Sequence, residues 1–254
     1  MCFRQLSAMA RRDPEVNFSR AMIGLIVLGI ALRLVRWLLN YPMWCDETLL
    51  AANILERDWT ALTKPLAYRQ VCPLGFLALE LTVVRLLGFS ELTLRLIPFL
   101  CALASVPLFH LLARRVLGTG TSAALLAVAL FAVSEAPIRY AAEVKPYSAD
   151  LLVSLVLLNL AVSWLRTPGS VRHLWAIAAV MPILAATSLP SVFLIGTVAL
   201  VGIHEAIART REGGGESTGS CGWRTAGSWH QPDLRSQECL RWDNIVQRPQ
   251  AAST

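Results

Sequence analysis

Apolar residues in this chain fall in runs too long and too unbroken for the half-buried faces of a water-soluble fold. Ala21 to Leu39 is the first. At about 1.5 Å per helical residue it is long enough to cross a hydrocarbon core of roughly 30 Å. It lacks a small-residue cleavage site and so reads as an anchor, not as a removed signal peptide. Further runs occupy Leu94 to Leu112, Thr121 to Ile138, Ser148 to Leu165, Leu174 to Leu189 and Val192 to Ile207. The pattern predicts an all-α, polytopic integral membrane protein with about six spans.

A seventh stretch, Pro73 to Leu87, is apolar but short, contains Glu80 and Arg85, and is bracketed by proline at its start and Gly88 after its end. That punctuation predicts a complete short helix lying at the surface or re-entering it, not a span. Arg4, Arg11, Arg12 and Arg20 precede the first span, which puts residues 1–20 on the cytoplasmic side. With Pro73 to Leu87 outside, the pairs Arg114 with Arg115, Arg166 with Arg172, and Arg209 with Arg211 all fall on the cytoplasmic side as well. The expected layout is a membrane domain over 21–211 with one long outer loop, 40–93, containing short juxtamembrane helices.

Composition agrees: 55% of residues are hydrophobic and only 16% charged, which excludes a single water-soluble core. After Arg211 the character changes abruptly to Gly, Ser, Arg, Trp and Gln without helical period. Residues 212–254 are therefore expected to be a disordered cytoplasmic tail, or an aberrant one produced by truncation or a change of reading frame. The cysteines say little. Cys45 and Cys72 share the outer loop, whereas Cys221 and Cys239 lie in the tail, where their spacing with His230 fits no zinc pattern.

Candidate chemistry gathers in the outer loop. Asp46 and Glu47 open a predicted helix, Thr48 to Arg57, just beyond the first span. Acids at a helix start cap free amides and suit the dipole, and they also supply a general base at a membrane surface. The residues alone leave both readings open. The chain has 21 arginines but only two lysines, Lys64 and Lys145, and both fall on the outer side of this topology. A lysine is a compact, mobile charge able to meet a phosphate without a fixed fork geometry, although snorkelling to the interface accounts equally for the placement. Glu135, Arg139 and Glu143 are spaced by four, on one helical face, and are followed by Lys145, Pro146, Tyr147 and Asp150. Such a face either neutralises itself or lines a cavity with the outer loop. Pro137 and Pro146 are expected to interrupt the helix, and Tyr140 and Tyr147 suit an interfacial belt. No glycine-rich phosphate loop, HExxH or serine nucleophile elbow occurs, and no nucleic-acid partner is expected. His110, His173, His204 and His230 are scattered and suggest no role.

Four blocks, taken in order, resemble the N-terminal half of a GT-C superfamily glycosyltransferase. They are Asp46-Glu47, then Lys64-Pro65-Leu66-Ala67-Tyr68-Arg69-Gln70-Val71-Cys72-Pro73-Leu74-Gly75-Phe76, then Leu86 to Pro98 with Ser90, Glu91 and Arg95, and finally Ala142-Glu143-Val144-Lys145-Pro146-Tyr147-Ser148-Ala149-Asp150. The likeness is to bacterial members of glycosyltransferase family 39 and the RgtA/B/C/D-like type, relatives of protein O-mannosyltransferases and lipid A aminoarabinose transferases. It covers roughly residues 20 to 205. Family members usually continue through more spans, and a small apolar residue usually stands where this chain has Cys72.

The resemblance implies a polyprenyl-phosphate sugar donor and a lipid, glycan or protein acceptor at the outer face of a bacterial inner membrane. Transfer would invert the anomeric configuration. By position, Asp46 would be the catalytic base, with Glu47 orienting it or holding the acceptor. Lys64 and Lys145, with Arg69 and Arg139, would stabilise the departing phosphate, and Tyr68, Gln70, Glu143 and Tyr147 would line the site. The resemblance fixes no cofactor: some relatives use a divalent metal and others do not, and no ligand cluster in this sequence forces the choice. Two other readings remain: a small multi-helix transporter, against which stands the gathering of charges at one boundary, and a fragment that keeps the outer site without its activity.

Overall fold

The computed structural model describes residues 2–166 and 171–213. Among them every regular element is helical, in the order α1 Cys2–Leu38, α2 Cys45–Glu56, α3 Leu74–Leu87, α4 Glu91–Leu94, α5 Leu96–Leu117, α6 Ser122–Val133, α7 Glu135–Arg139, α8 Tyr147–Arg166, α9 Val171–Thr187 and α10 Ser191–Gly213. The chain divides into a unit ending at Ala206, which holds all that follows, and a second beginning at Ile207. Residues 214–254 lie outside the described segment, so the expectation of a disordered tail there is not addressed.

Among the described residues three helices are long and apolar enough to cross a membrane: Asn17–Leu38, Leu96–Leu117 and Tyr147–Arg166. A fourth crossing arises if α6 and the stretch Glu135–Ala142, bent by 47° at Ser134, count as one broken span. The run expected at Leu174 to Leu189 and the one at Val192 to Ile207 contain only the shorter apolar helices Trp175–Thr187 and Ser191–His204. Hydropathy registers these runs, whereas it is blind to the break between them at 188–190.

The bundle follows from these lengths. α5 packs most extensively on α8, α1 packs on α6 and α5, and α9 covers α8 and reaches α3. Met22, Ala113 and Val128 join α1, α5 and α6, while Val153, Leu157 and Leu184 join α8 and α9. Leucines and valines such as Leu126, Leu130, Val27 and Leu200 stay exposed on the outside, as lipid-facing side chains would.

The bend after α6 has a local cause. Pro137 has no N–H for the carbonyl four residues back, so the ladder is broken there. Carbonyls left without helical partners in an apolar setting need other donors. Arg33 of α1, fully buried, supplies them: its guanidinium donates to the carbonyls of Phe131 and Ala132, each at 3.4 Å, and to that of Gly29 at 2.8 Å. It also lies over the Phe131 ring, 5.2 Å from the centroid.

Above one end of the bundle, the chain between α1 and α5 builds its own small core. Leu50, Ala51 and Ile54 of α2 meet Leu77, Leu81 and Val84 of α3, with Leu94 and Val144 closing the cluster. Each such side chain contributes about 1.5–3 kcal/mol on burial from water. α3 ends where Gly88 takes φ +84°, a left-handed value that disfavours any Cβ. At Gly75 a Cβ would stand 2.7 Å from the carbonyl oxygen of Ala186, so only glycine lets α3 meet the end of α9. Arg95, 1% exposed, ties this layer to the bundle by donating to Asn40 Oδ1 at 2.8 Å and to the Tyr41 carbonyl at 2.7 Å.

Candidate functional site

Glu47 sets the geometry. It sits in the first turn of α2, and its Oε2 accepts from the Trp44 N–H at 2.9 Å, capping the helix start. Its Oε1 accepts from the Val144 N–H at 2.6 Å, ninety-seven residues away in the chain. The side chain is 3% exposed and both carboxylate oxygens are occupied by backbone donors, the bond to Val144 buried and that to Trp44 partly so. Val144 is itself buried against α2 and α3. The segment 143–145 is thereby fixed over the start of α2, tightened by the Lys145 N–H bonding to the Glu143 carbonyl at 2.8 Å.

That stitch brings Lys145 to Asp46. Lys145 Nζ pairs with Asp46 Oδ2, and Gln70 closes a ring, its Nε2 donating to Asp46 Oδ1 at 2.8 Å and its Oε1 accepting from Lys145 Nζ at 3.0 Å. Hydrogen bonds from Lys145 and then Gln70 hold the Asp46 carboxyl below the ordinary aspartate value, against a slight opposing desolvation. Asp46 is thus a charged but fully engaged carboxylate.

Gln70 is placed by α2 through side-chain bonds to the loop. Asn53 accepts from the Ala67 N–H at 2.8 Å, and Arg57 donates to the carbonyls of Ala61, Lys64 and Pro65 at 2.8 to 3.0 Å. The turn that follows puts two consecutive non-glycine residues, Tyr68 and Arg69, in the left-handed region at φ +59° and +54°. Each costs roughly 1–2 kcal/mol, held in place by the surrounding bonds.

Beside the ring lies a cleft of about 310 Å³, bounded by Trp44, Asp46, Glu47, Arg139, Tyr140, Glu143, Lys145 and Tyr147. Arg139 pairs with Glu143 at 3.1 Å and donates to the Tyr140 hydroxyl at 3.2 Å. Burial pushes the Glu143 carboxyl up, opposed by Arg139; Glu47 raises it further, and the more distant Arg36 and Arg95 lower it. Tyr140 and Tyr147 lie ring to ring with centroids 4.6 Å apart, and Trp44 is 73% exposed, giving the cleft an aromatic wall.

Of the site residues expected from sequence, Asp46, Glu47, Arg139, Glu143, Lys145 and Tyr147 share this cleft, with Gln70 bonded to two of them. Lys64 and Arg69 do not reach it. They line an adjoining groove of about 690 Å³ together with Gln70, Val71 and Cys72, and Tyr68 points outward, 59% exposed. Burial pushes the Cys72 thiol up to about 12, and Cys45 and Cys72 are both free thiols. Trp44 also borders the cleft, although the sequence marks it only by its place beside the acidic pair.

Glu80 stands apart. It faces inward from α3, fully buried, with no partner for either oxygen, and desolvation raises its carboxyl well above the ordinary value. Burial favours the protonated acid in the native chain. Raising the pH therefore weakens the fold progressively above the ordinary glutamate value, because the unfolded chain ionises there before the native one does. Glu80→Gln is expected to remove that slope and to leave the low-pH stability within about 1 kcal/mol of wild type, as a near-isosteric exchange. Thermal unfolding in detergent micelles from about pH 4 to about pH 8 checks this.

Among the described residues no three His, Cys, Asp or Glu side chains converge closely enough to hold a metal ion. The chain matches no protein-family model, no curated protein sequence and no solved structure.

Proposed function

We propose that this chain is an inverting glycosyltransferase of the GT-C type, transferring a sugar from a polyprenyl phosphate to an acceptor at the outer face of a bacterial inner membrane. The observation that carries the reading is the ring of Asp46, Gln70 and Lys145 beside a polar cleft at one end of an apolar helix bundle. The four sequence blocks support it, and so does the short helix α3, which leaves the acidic pair outside the membrane-length helices. On this reading the chain passes the membrane about six times, its short last helices included, with its N-terminus in the cytoplasm.

The chemistry divides between the two signs of charge. The acceptor hydroxyl gives its proton to Asp46 as its oxygen bonds to the anomeric carbon. The bond from that carbon to the phosphate oxygen breaks, and the phosphate leaves with the electron pair. A phosphate is already a good leaving group and asks for cations more than for a proton. Lys145 and Arg139 stand in the cleft for that task. Lys145 cannot serve the phosphate while it holds Asp46, so donor binding would draw the ammonium away and free the Oδ2 lone pair that a base needs. The exposed Trp44 and the tyrosine pair offer flat surfaces to the apolar face of a sugar ring. Lys64 and Arg69, in the adjoining groove, are placed to hold the donor further along its length.

The test is an assay on membranes containing the full chain, supplied with a radiolabelled polyprenyl-phosphate sugar. Label is expected to move to a membrane or envelope acceptor. Transfer no greater than in membranes without the chain would overturn the reading.

A further inference from the structure

The end of the bundle opposite Asp46 carries a second cleft, of about 280 Å³, where α1 meets the last turns of α5. Ser19 lies near the start of the membrane-length part of α1, which begins at Asn17, and Arg114 near the end of α5, at Leu117. The cleft therefore sits where lipid head groups end the hydrocarbon core. Its inner wall is apolar, from Met22, Ile23 and Ile26. Its rim is polar, from Ser19, Thr119, His110 and Arg114.

The two basic residues are one helical turn apart and so project from the same face of α5. The neighbouring Arg115 turns inward and is consumed by Asn159, donating to its backbone and side-chain oxygens at 3.0 and 3.1 Å. Arg114 instead borders the cleft, and His110 lines it one turn earlier on α5. From this cleft Ile23 and, one turn further along α1, Val27 present exposed apolar side chains, 58% and 57% exposed, toward the hydrocarbon core.

We propose that this cleft binds the phosphodiester of an anionic phospholipid, paired with Arg114 and hydrogen-bonded by His110, with an acyl chain laid along Ile23 and Val27 of α1. The cation recognises the net charge, the hydroxyls of Ser19 and Thr119 can donate to the remaining phosphate oxygens, and the exposed apolar face of α1 beside them suits a ligand with a hydrocarbon tail. Free phosphate has no use for that face.

Native mass spectrometry of the full chain in detergent, titrated with phosphatidylglycerol or phosphatidylcholine, tests this. Wild type is expected to retain phosphatidylglycerol in preference to phosphatidylcholine. Arg114→Gln should weaken that retention roughly fivefold, the worth of one basic residue at a charged lipid surface. Arg114 is exposed, so the exchange leaves packing intact. Arg166→Gln, outside the cleft, should change nothing. Equal retention by Arg114→Gln and wild type would overturn the proposal, as would equal affinity for the two lipids. Displacement of phosphatidylglycerol by millimolar inorganic phosphate would likewise overturn it, in favour of a soluble-anion site.

Discussion

If Asp46 is the base of the proposed sugar transfer, Asp46→Asn is expected to lower that transfer by roughly a hundredfold to ten-thousandfold, the range lost with a positioned general base. The folded chain should be unaffected. The Asp46 side chain is 62% exposed, and its pair with Lys145 belongs to the class worth at most about 1 kcal/mol. An unaltered unfolding midpoint beside a collapsed kcat separates chemistry from folding. The pH profile adds a second check. The bonds from Lys145 and Gln70 hold Asp46 below the ordinary aspartate value, so the acidic fall of kcat/KM belongs below that value, where the carboxylate is at last protonated. Lys145→Ala removes the larger of the two bonds and should move this fall upward toward the ordinary value, besides weakening the hold on the leaving phosphate. A variant with asparagine at this position that turns over at the wild-type rate would end the assignment of Asp46 as base.

Charges beside apolar runs are expensive to keep, and that is why Asp46, Arg139, Glu143 and Lys145 could be picked out from sequence. Their meeting could not. It depends on the Glu47 bond to Val144, a contact across ninety-seven residues to a backbone N–H, which leaves no mark on residue type. Lys64 illustrates the opposite failure. Its block resembles a donor-binding loop, yet where its side chain goes is decided by Arg57 and Asn53 gripping loop carbonyls and amides, and they direct it into the adjoining groove. Helix α3 was legible because Pro73 and Gly88 punctuate it. The length of the last helices was not, because the chain around Pro190 is apolar on both sides and hydropathy reads through the break. Arg33 was hidden for the same reason: an arginine within a span looks like a defect until the carbonyls of Phe131 and Ala132, freed by the bend after α6, are seen to need it.

Glu47→Ala is expected to be the most damaging single substitution for the fold of the outer layer, at about 3–5 kcal/mol. Two hydrogen bonds to a charged acceptor, worth about 1.5–3 kcal/mol each, are lost together. The N–H of Val144 is then left inside with no acceptor, while that of Trp44, only partly buried, turns to water. Water cannot readily replace the carboxylate, because Val144 is fully buried and Leu50, Ile54 and Leu81 are nearly so. Glu47→Gln separates the contributions. The amide keeps one acceptor oxygen but turns an N–H₂ toward the other backbone donor, so roughly half the loss is expected. Function should fail with the fold here, in contrast to Asp46→Asn. Segment 143–145 would no longer be pinned, Lys145 would lose its register with Asp46 and Gln70, and kcat would fall together with the unfolding midpoint. The measurement is thermal unfolding of the purified variants alongside transfer. A Glu47→Ala protein as stable as wild type would show that the bond to Val144 does not hold the two halves of the site together.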